Sequence, residues 1–345
     1  MKKLKILRHH IVVFLISVLA GSLIVNWTEG PTESILRWGF CLVNGFENND
    51  GTTITIDSQG LPIVDYGVIN GVQIGLQHNP VTICQQAFNY FDGIHVPDSI
   101  NRQRFLKCAN WIVDNSEFLN DGNVLPYRFI YPRYSMPSYW ISAMAQAQAI
   151  QVMVRAHRLT GDSRYLENAR KLLSVFSIDV DSGGVAHKHL PLTSGWWYEE
   201  YASPSGDDPM PLNGMMYTLI GLKEFHNYTN DSTSNKLFTK GIQALKDILP
   251  SFDRNGHSYY DILGLPAGGD YHLVHIELLD TLYRLTGDNI LAEYRNRWQE
   301  YNDAQFVVRF IKAPTKIAPV ILAANIAFLF VLIELLLFFK RRTKL

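Results

Sequence analysis

Two long apolar runs bracket this chain, and the pattern between them changes period once. No charged residue occurs from Ile11 to Trp27, and Ile317 to Phe339 contains only Glu334. The second run has 23 residues, more than the roughly 20 that cross a bilayer as a helix. The first has 17, at the lower edge of that range, and also fits a cleaved signal peptide. Leu19-Ala20-Gly21 is a poor cleavage site, which favours an uncleaved anchor. Lys2, Lys3, Lys5 and Arg8 precede the first run, and Lys340, Arg341, Arg342 and Lys344 follow the second. Positive charge stays on the cytoplasmic side. The expected arrangement is a cytoplasmic tail at 1–10, spans at 11–27 and 317–339, and a basic cytoplasmic tail at 340–345. Residues 28–316 then lie outside, at the cell surface or in a lumen. Glu334, near the end of its span, is placed to reach the headgroups.

Residues 28–78 read as a β-rich lead-in. Thr52 to Asp57 alternates, Gln59-Gly60 signals a turn, Leu61 to Val64 resumes an apolar run, and Val72 to Leu76 adds a short piece. After His78-Asn79-Pro80 a helical period takes over. Eight helices are predicted near 80–92, 98–115, 138–160, 162–176, 211–228, 233–249, 271–286 and 288–302. In the third, Ala143, Ala147, Ile150 and Val154 share a face. Arg158-Leu159-Thr160-Gly161-Asp162 recurs as Arg284-Leu285-Thr286-Gly287-Asp288, the same helix stop followed by the same cap. A repeated joint indicates tandem helix pairs. The fold expected over 79–310 is mainly α, an incomplete (α/α) toroid of about four helix pairs preceded by a small β region. A simple antiparallel bundle is the alternative, although the insert at 177–210 falls where a toroid carries rim loops.

Net charge is −1 and no basic stripe occurs away from the termini, so nucleic acid is not an expected partner. Cys41, Cys84 and Cys108 show no C-x-x-C spacing, which argues against zinc. Cys84 and Cys108 are read either as a disulfide between consecutive helices or as buried thiols. Sequons at Asn227 and Asn230 fall in a polar loop on the expected outer face, whereas the one at Asn26 lies too close to the membrane to be used.

The chemistry concentrates in three places. Trp197-Tyr198-Glu199-Glu200-Tyr201 combines aromatic and acidic groups beside an exposed loop, Ser203 to Pro209. Here Trp197 would stack on a sugar, and Glu200 and Tyr201 would meet a reacting carbon or hydroxyl; the plainer reading is a hairpin edge whose rings merely pack. Tyr260-Asp261 follows a turn at Asp253 to Gly256, and is equally readable as a short hairpin with a buried tyrosine. Tyr271, His272 and His275 open the seventh helix. The two histidines share a face, but without an acid at ligand spacing they make a weak metal pair. His187 and Lys188 lie upstream, either on a solvated strand or offering positive charge to an acidic ligand.

These residues also carry a resemblance. Ser142 to Ile150 with Val154-Arg155-Ala156, then Trp197 to Tyr201, Leu212 to Leu222, Tyr260-Asp261, and Asp270-Tyr271-His272 with His275-Ile276 follow the order and spacing of one family. From about 135 to 302 the chain resembles the C-terminal catalytic region of the D-glucuronyl C5-epimerases, which act on heparan-type polysaccharide; residues 61–92 resemble the family's lead-in more loosely. The resemblance implies a β region leading into an α/α toroid, and four catalytic residues: Glu200, Tyr201, Tyr260 and Tyr271. Candidate substrate contacts are Trp197, Tyr198, Asn213, Asp261, His272, His275, His187 and Lys188. The implied reaction inverts C5 of a uronate, glucuronate to iduronate, within a polysaccharide. Tyr201 and Tyr260 are expected on opposite faces, with Glu200 assisting proton transfer. No cofactor is expected, a structural calcium ion is left open, and so is a homodimer. Two family arginines are missing at Asp261 to Gly264 and Ala267 to Asp270, which leaves Arg133, Lys188 or Arg254 to meet the carboxylate. The same groups also suit a uronate lyase acting by β-elimination, or a membrane protein that only binds glycans.

Overall fold

The computed structural model describes residues 2–44, 53–58, 60–95, 100–119 and 122–343. Thr52, Gln59 of the expected turn, and residues 98–99 of the second expected helix lie outside the described residues. The chain divides into two compact units. The larger comprises residues 50–254 and 258–298, the smaller 1–49, 255–257 and 299–345.

The larger unit begins with strands β1 (Thr53–Ile56) and β2 (Pro62–Asp65), which pair antiparallel with Ile54 opposite Val64. A small hairpin, β3 (Val68–Ile69) and β4 (Val72–Gln73), intervenes before β5 (Leu76–Gln77) completes the sheet beside β2. Helix α2 (Pro80–Asp92) then starts at a strong signal. The Asn79 carboxamide oxygen accepts the N–H groups of Val81 and Thr82 at 2.8 and 3.2 Å. Pro80 occupies the first turn, where no donor is needed. Helix α3 (Ile100–Asn115) and the hairpin β6 (Glu117–Leu119) and β7 (Gly122–Val124) follow.

The remaining helices of this unit are α4 (Ala143–Thr160), α5 (Ser163–Leu173), α6 (Leu212–Thr229), α7 (Ser232–Ile248), α8 (Gly269–Thr286) and the first ten residues of α9 (Asn289–Asn302). Helix α4 starts later than the expected 138. Trp140 and Ile141 are held extended by bridges to Tyr127 and Ala202, and Ser142 caps the helix through the Ala145 N–H at 3.2 Å. The repeated joint folds the same way twice. Gly161 and Gly287 both take left-handed backbones, φ 75° and 70°, the conformation that ends helices and suits glycine. Asp162 and Asp288 then accept the N–H groups of Arg164 and Ile290 at 3.0 and 3.1 Å.

Helices α2, α4, α6 and α8 pack one against the next, while α3, α5 and α7 back the first three. The Arg295 guanidinium of α9 reaches Asp280 of α8 at 2.6 Å. Close approach inside this arc needs small residues: a Cβ on Gly221 of α6 would lie 2.7 Å from the Ala147 carbonyl of α4. The result is an incomplete α/α toroid of four helix pairs. Two short strands, β8 (Ala186–His187) and β9 (Trp197–Tyr198), lie in the insert between α5 and α6. Cys84 and Cys108 are buried free thiols, which decides between the two readings.

The smaller unit contains α1 (Lys2–Asn44), α10 (Phe306–Lys312) and α11 (Ala318–Arg342). Residues 28–44, expected as part of the β lead-in, instead continue α1. The Gly30-Pro31 pair does not stop the helix, and Glu33 and Arg37, one turn apart, pair at 2.6 Å. Helices α1 and α11 run antiparallel: Glu334 meets His9 and His10 at 3.2 and 2.7 Å, Phe14 meets Phe330, and Thr28 donates to Asn325 at 2.7 Å. Both are long and apolar enough to cross a membrane.

Candidate active site

A cavity of about 510 Å³ opens in the larger unit where the first turns of the inner helices converge. Helix α2 contributes Val81 and Gln85, α4 contributes Met144, α6 contributes Asn213 and Tyr217, and α8 contributes Asp270, Tyr271 and Val274. Helix N-termini carry partial positive charge and unsatisfied N–H groups. Glu200, Tyr201, Tyr260 and Tyr271 all line this cavity, although 71 residues separate the first from the last in sequence.

Glu200 enters from the segment after β9. The side chain is half-buried, but its Oε2 is buried and without a hydrogen-bond partner among the described residues. Burial pushes the carboxyl up to about 8, and the neighbouring negative charge of Glu199 acts in the same direction. Glu199 is tied differently: its oxygens accept the N–H groups of Tyr201 and Met210 at 3.0 and 2.9 Å. Two adjacent carboxyl groups thus meet opposite surroundings, a familiar way of separating their roles. Glycine at 214 makes room for this arrangement, since a Cβ there would stand 2.3 Å from Glu200 Oε2.

The Tyr201 ring stacks on Tyr131 at 5.5 Å and 8°, and on Trp140 at 5.4 Å and 27°. Tyr260 meets Tyr271 edge-on at 4.9 Å. The Tyr260 carbonyl accepts the Leu212 N–H at 3.0 Å, which ties it to the start of α6. Burial raises the phenols of Tyr201, Tyr260 and Tyr271 above their ordinary value, and the Glu200 charge contributes to all three. Each is therefore a neutral hydrogen-bond donor near pH 7.

The expected substrate contacts separate into two groups. Asn213 lines the cavity, 4% exposed, with its Oδ1 unpartnered among the described residues. The others are absent from the wall. Trp197 is fully buried and stacks on Phe252 at 5.6 Å and 9°, so no face is left for a sugar. Tyr198 is equally buried and donates to the Leu237 carbonyl at 2.7 Å. Asp261 accepts from the Tyr134 phenol at 2.9 Å and from the Leu265 N–H at 3.0 Å, an anchoring role. His272 and His275 both turn Nδ1 toward the Ser258 hydroxyl, at 2.9 and 2.8 Å. Burial lowers His272 to about 4, which leaves a neutral ring inside the core. His187 faces Glu199 and Asp208, each at 3.5 Å. Burial opposes its charge, but Glu199 and Asp208 outweigh that and raise it. Lys188 donates to the Ser177 carbonyl at 2.6 Å and lies over Trp196.

Several wall residues escaped the sequence reading: Tyr66, Asn79, Gln85, Tyr127, Phe129, Tyr131, Trp140 and Tyr217. Tyr127, Phe129 and Tyr131 alternate at two-residue spacing, an extended-chain pattern that was available as a signal.

Comparison with known proteins adds the lineage. Residues 120–300 match the family model described as D-glucuronyl C5-epimerase C-terminus. A D-glucuronyl C5-epimerase of Caenorhabditis elegans is 32% identical over 217 residues, which cover 57% of this chain and 34% of that one. An uncharacterized protein of Methanocaldococcus jannaschii is 28% identical over 263 residues, 71% of this chain and 84% of that one. Among solved structures, a GH76 α-mannanase from Bacteroides thetaiotaomicron aligns with a TM-score of 0.46 at 13% identity, covering 81% of this chain and 72% of that one. A cellobiose 2-epimerase from Bacillus thermoamylovorans gives 0.46 at 8% identity, covering 64% and 59%. By the family-model match, which spans more than half of its length, this chain belongs to the D-glucuronyl C5-epimerase family, represented here by the family's C-terminal region.

Proposed function

We propose that this protein inverts C5 of a uronic acid within a polysaccharide, converting glucuronate to iduronate. The supporting observation is the meeting of Glu200, Tyr201, Tyr260 and Tyr271 in one cavity of a chain of this family. The C5–H bond breaks, its electron pair enters the adjacent carboxylate as an enediolate, and a proton returns to C5 on the opposite face. One proton leaves and one arrives, so no oxidant or reductant is needed.

The raised phenols define the division of labour. A neutral phenol near pH 7 does not take the C5 proton unaided. Glu200, held near 8, is the group whose proton state changes close to working pH, as a general base requires. In this reading ionised Glu200 receives the phenol proton as a tyrosine takes the one from C5. Tyr201 and Tyr260 serve opposite faces, and Tyr271 donates to the enediolate, where developing negative charge needs fixed donors.

Membrane anchoring is part of the proposal. Helices α1 and α11 are long and apolar enough to span. Because they run antiparallel, the basic residues before Ile11 and after Phe339 gather at the same end; Arg341 stands 3.5 Å from His9. That suits two cytoplasmic termini. The deciding experiment incubates the full chain in detergent with a glucuronate polysaccharide in deuterated water. Deuterium at C5 with unbroken chains is the expected result. An unsaturated product would mean elimination, and absence of both signals would rule out the chemistry. Tyr201→Phe and Tyr260→Phe should each lower exchange by about 100-fold or more.

A further inference from the structure

Among the described residues, the cavity wall presents acids and phenols but no lysine, arginine or histidine. An acidic sugar entering it still needs a cation. Lys188 is engaged with Ser177 and Trp196, and Arg254 has a partner of its own and does not line the cavity. Arg133 differs from both. It sits at the tip of a tight hairpin closed by reciprocal Tyr131–Met136 backbone bonds of 3.1 Å each. Three further contacts hold this hairpin. The Tyr134 phenol donates to Asp261, the Ser135 hydroxyl donates to Asp207 at 2.8 Å, and the Asp207 N–H donates to the Tyr134 carbonyl at 3.3 Å. On either side of Arg133, Tyr131 and Tyr134 pack their rings on Tyr201, at 5.5 and 4.7 Å. The Arg133 side chain is exposed; its guanidinium lies 5.6 Å from the Tyr134 ring, is within hydrogen-bond reach of the Tyr131 phenol, and has no acidic partner among the described residues. Its charge opposes the burial that raises the Tyr134 and Tyr271 phenols.

We propose that Arg133 selects the substrate, binding the sugar's carboxylate at the mouth of the cavity. The proposal rests on the uronate reading and names the residue that makes the site prefer an acid. A guanidinium suits the task because its planar fork accepts a carboxylate through two parallel hydrogen bonds, which an ammonium does not reproduce. The inner helix N-termini along the cavity favour the same negative charge.

The test measures affinity of the full chain in detergent for a glucuronate oligosaccharide and for its carboxyl-reduced, neutral counterpart. The acid should bind wild type more tightly. Arg133→Met should cut the acid-over-neutral ratio by about 10- to 100-fold, leaving the neutral sugar unchanged. Arg133→Lys should restore part of it. Wild type without preference, or a ratio unchanged in Arg133→Met, would overturn the proposal. C5 deuterium exchange is followed in parallel. Exchange that persists while the ratio ignores Arg133 sinks this assignment and leaves the epimerase reading intact. An Arg133-dependent ratio without any exchange does the opposite.

Discussion

Glu200 carries the sharpest consequences at the scale of single residues. Its ordinary value is 4.5 and the folded chain raises it to about 8, so between those limits the folded state keeps a proton that the unfolded chain has released. Stability from this group is therefore present below about pH 4.5 and is lost as pH rises through 8. Glu200→Gln has no such dependence, and its thermal midpoint should gain on wild type steadily from pH 5 to 8. Proton transfer has the opposite sense: C5 exchange should rise with pH along a limb near 8 in kcat/KM, and Glu200→Gln should lose both that limb and about 100-fold or more in rate. That Glu200, Tyr201, Tyr260 and Tyr271 line one cavity was legible from their chemistry and from the resemblance, because phenols and carboxylates stand out from an apolar background. The same reading misled at Trp197 and Tyr198. Both form the short strand β9 just before Glu200 and Tyr201, yet each ring is packed inside, and local sequence does not say which way a side chain turns when a loop folds back on a helix pair.

Among the elements, α6 governs the site. Gly214 in its first turn lies against Glu200, where an added methyl would collide at 2.3 Å. Gly214→Ala should keep the helix, since alanine favours it by roughly 0.8–1 kcal/mol. The displaced carboxyl should nevertheless slow exchange by about 100-fold, with unchanged circular dichroism as the control. The Arg133 hairpin makes a second element-scale prediction. Tyr134→Phe removes the bond to Asp261 and should raise KM for the acidic substrate several-fold more than it lowers kcat. Helices were readable from their apolar period and caps, and the Gly161 and Gly287 joints repeat in structure as in sequence. Residues 28–44 were not: they read as the start of the β lead-in, but α1 runs through them. The aromatic alternation at 127–131 was readable and went unread.

For the whole molecule, the antiparallel pairing of α1 and α11 makes a topological prediction. Cysteines introduced next to Lys3 and next to Lys344 should be labelled from the same side of a sealed vesicle, the side opposite Asn227; labelling from opposite sides would reject the two-span reading. By itself the sequence determined most helix positions of the larger unit, the repeated joint and the two apolar ends, because each depends on neighbours three or four residues away or on runs of one character, and the lineage, because several motifs recur in one order. Tertiary structure alone decided which residues share the cavity. Packing α2, α4, α6 and α8 side by side brings four first turns to one place and buries Glu200 beside Glu199 until its proton is held near pH 8. It also turns Asp261 from a candidate ligand into the anchor of the Arg133 hairpin. Burial and direction are properties of surroundings assembled from distant segments, and no local pattern encodes them.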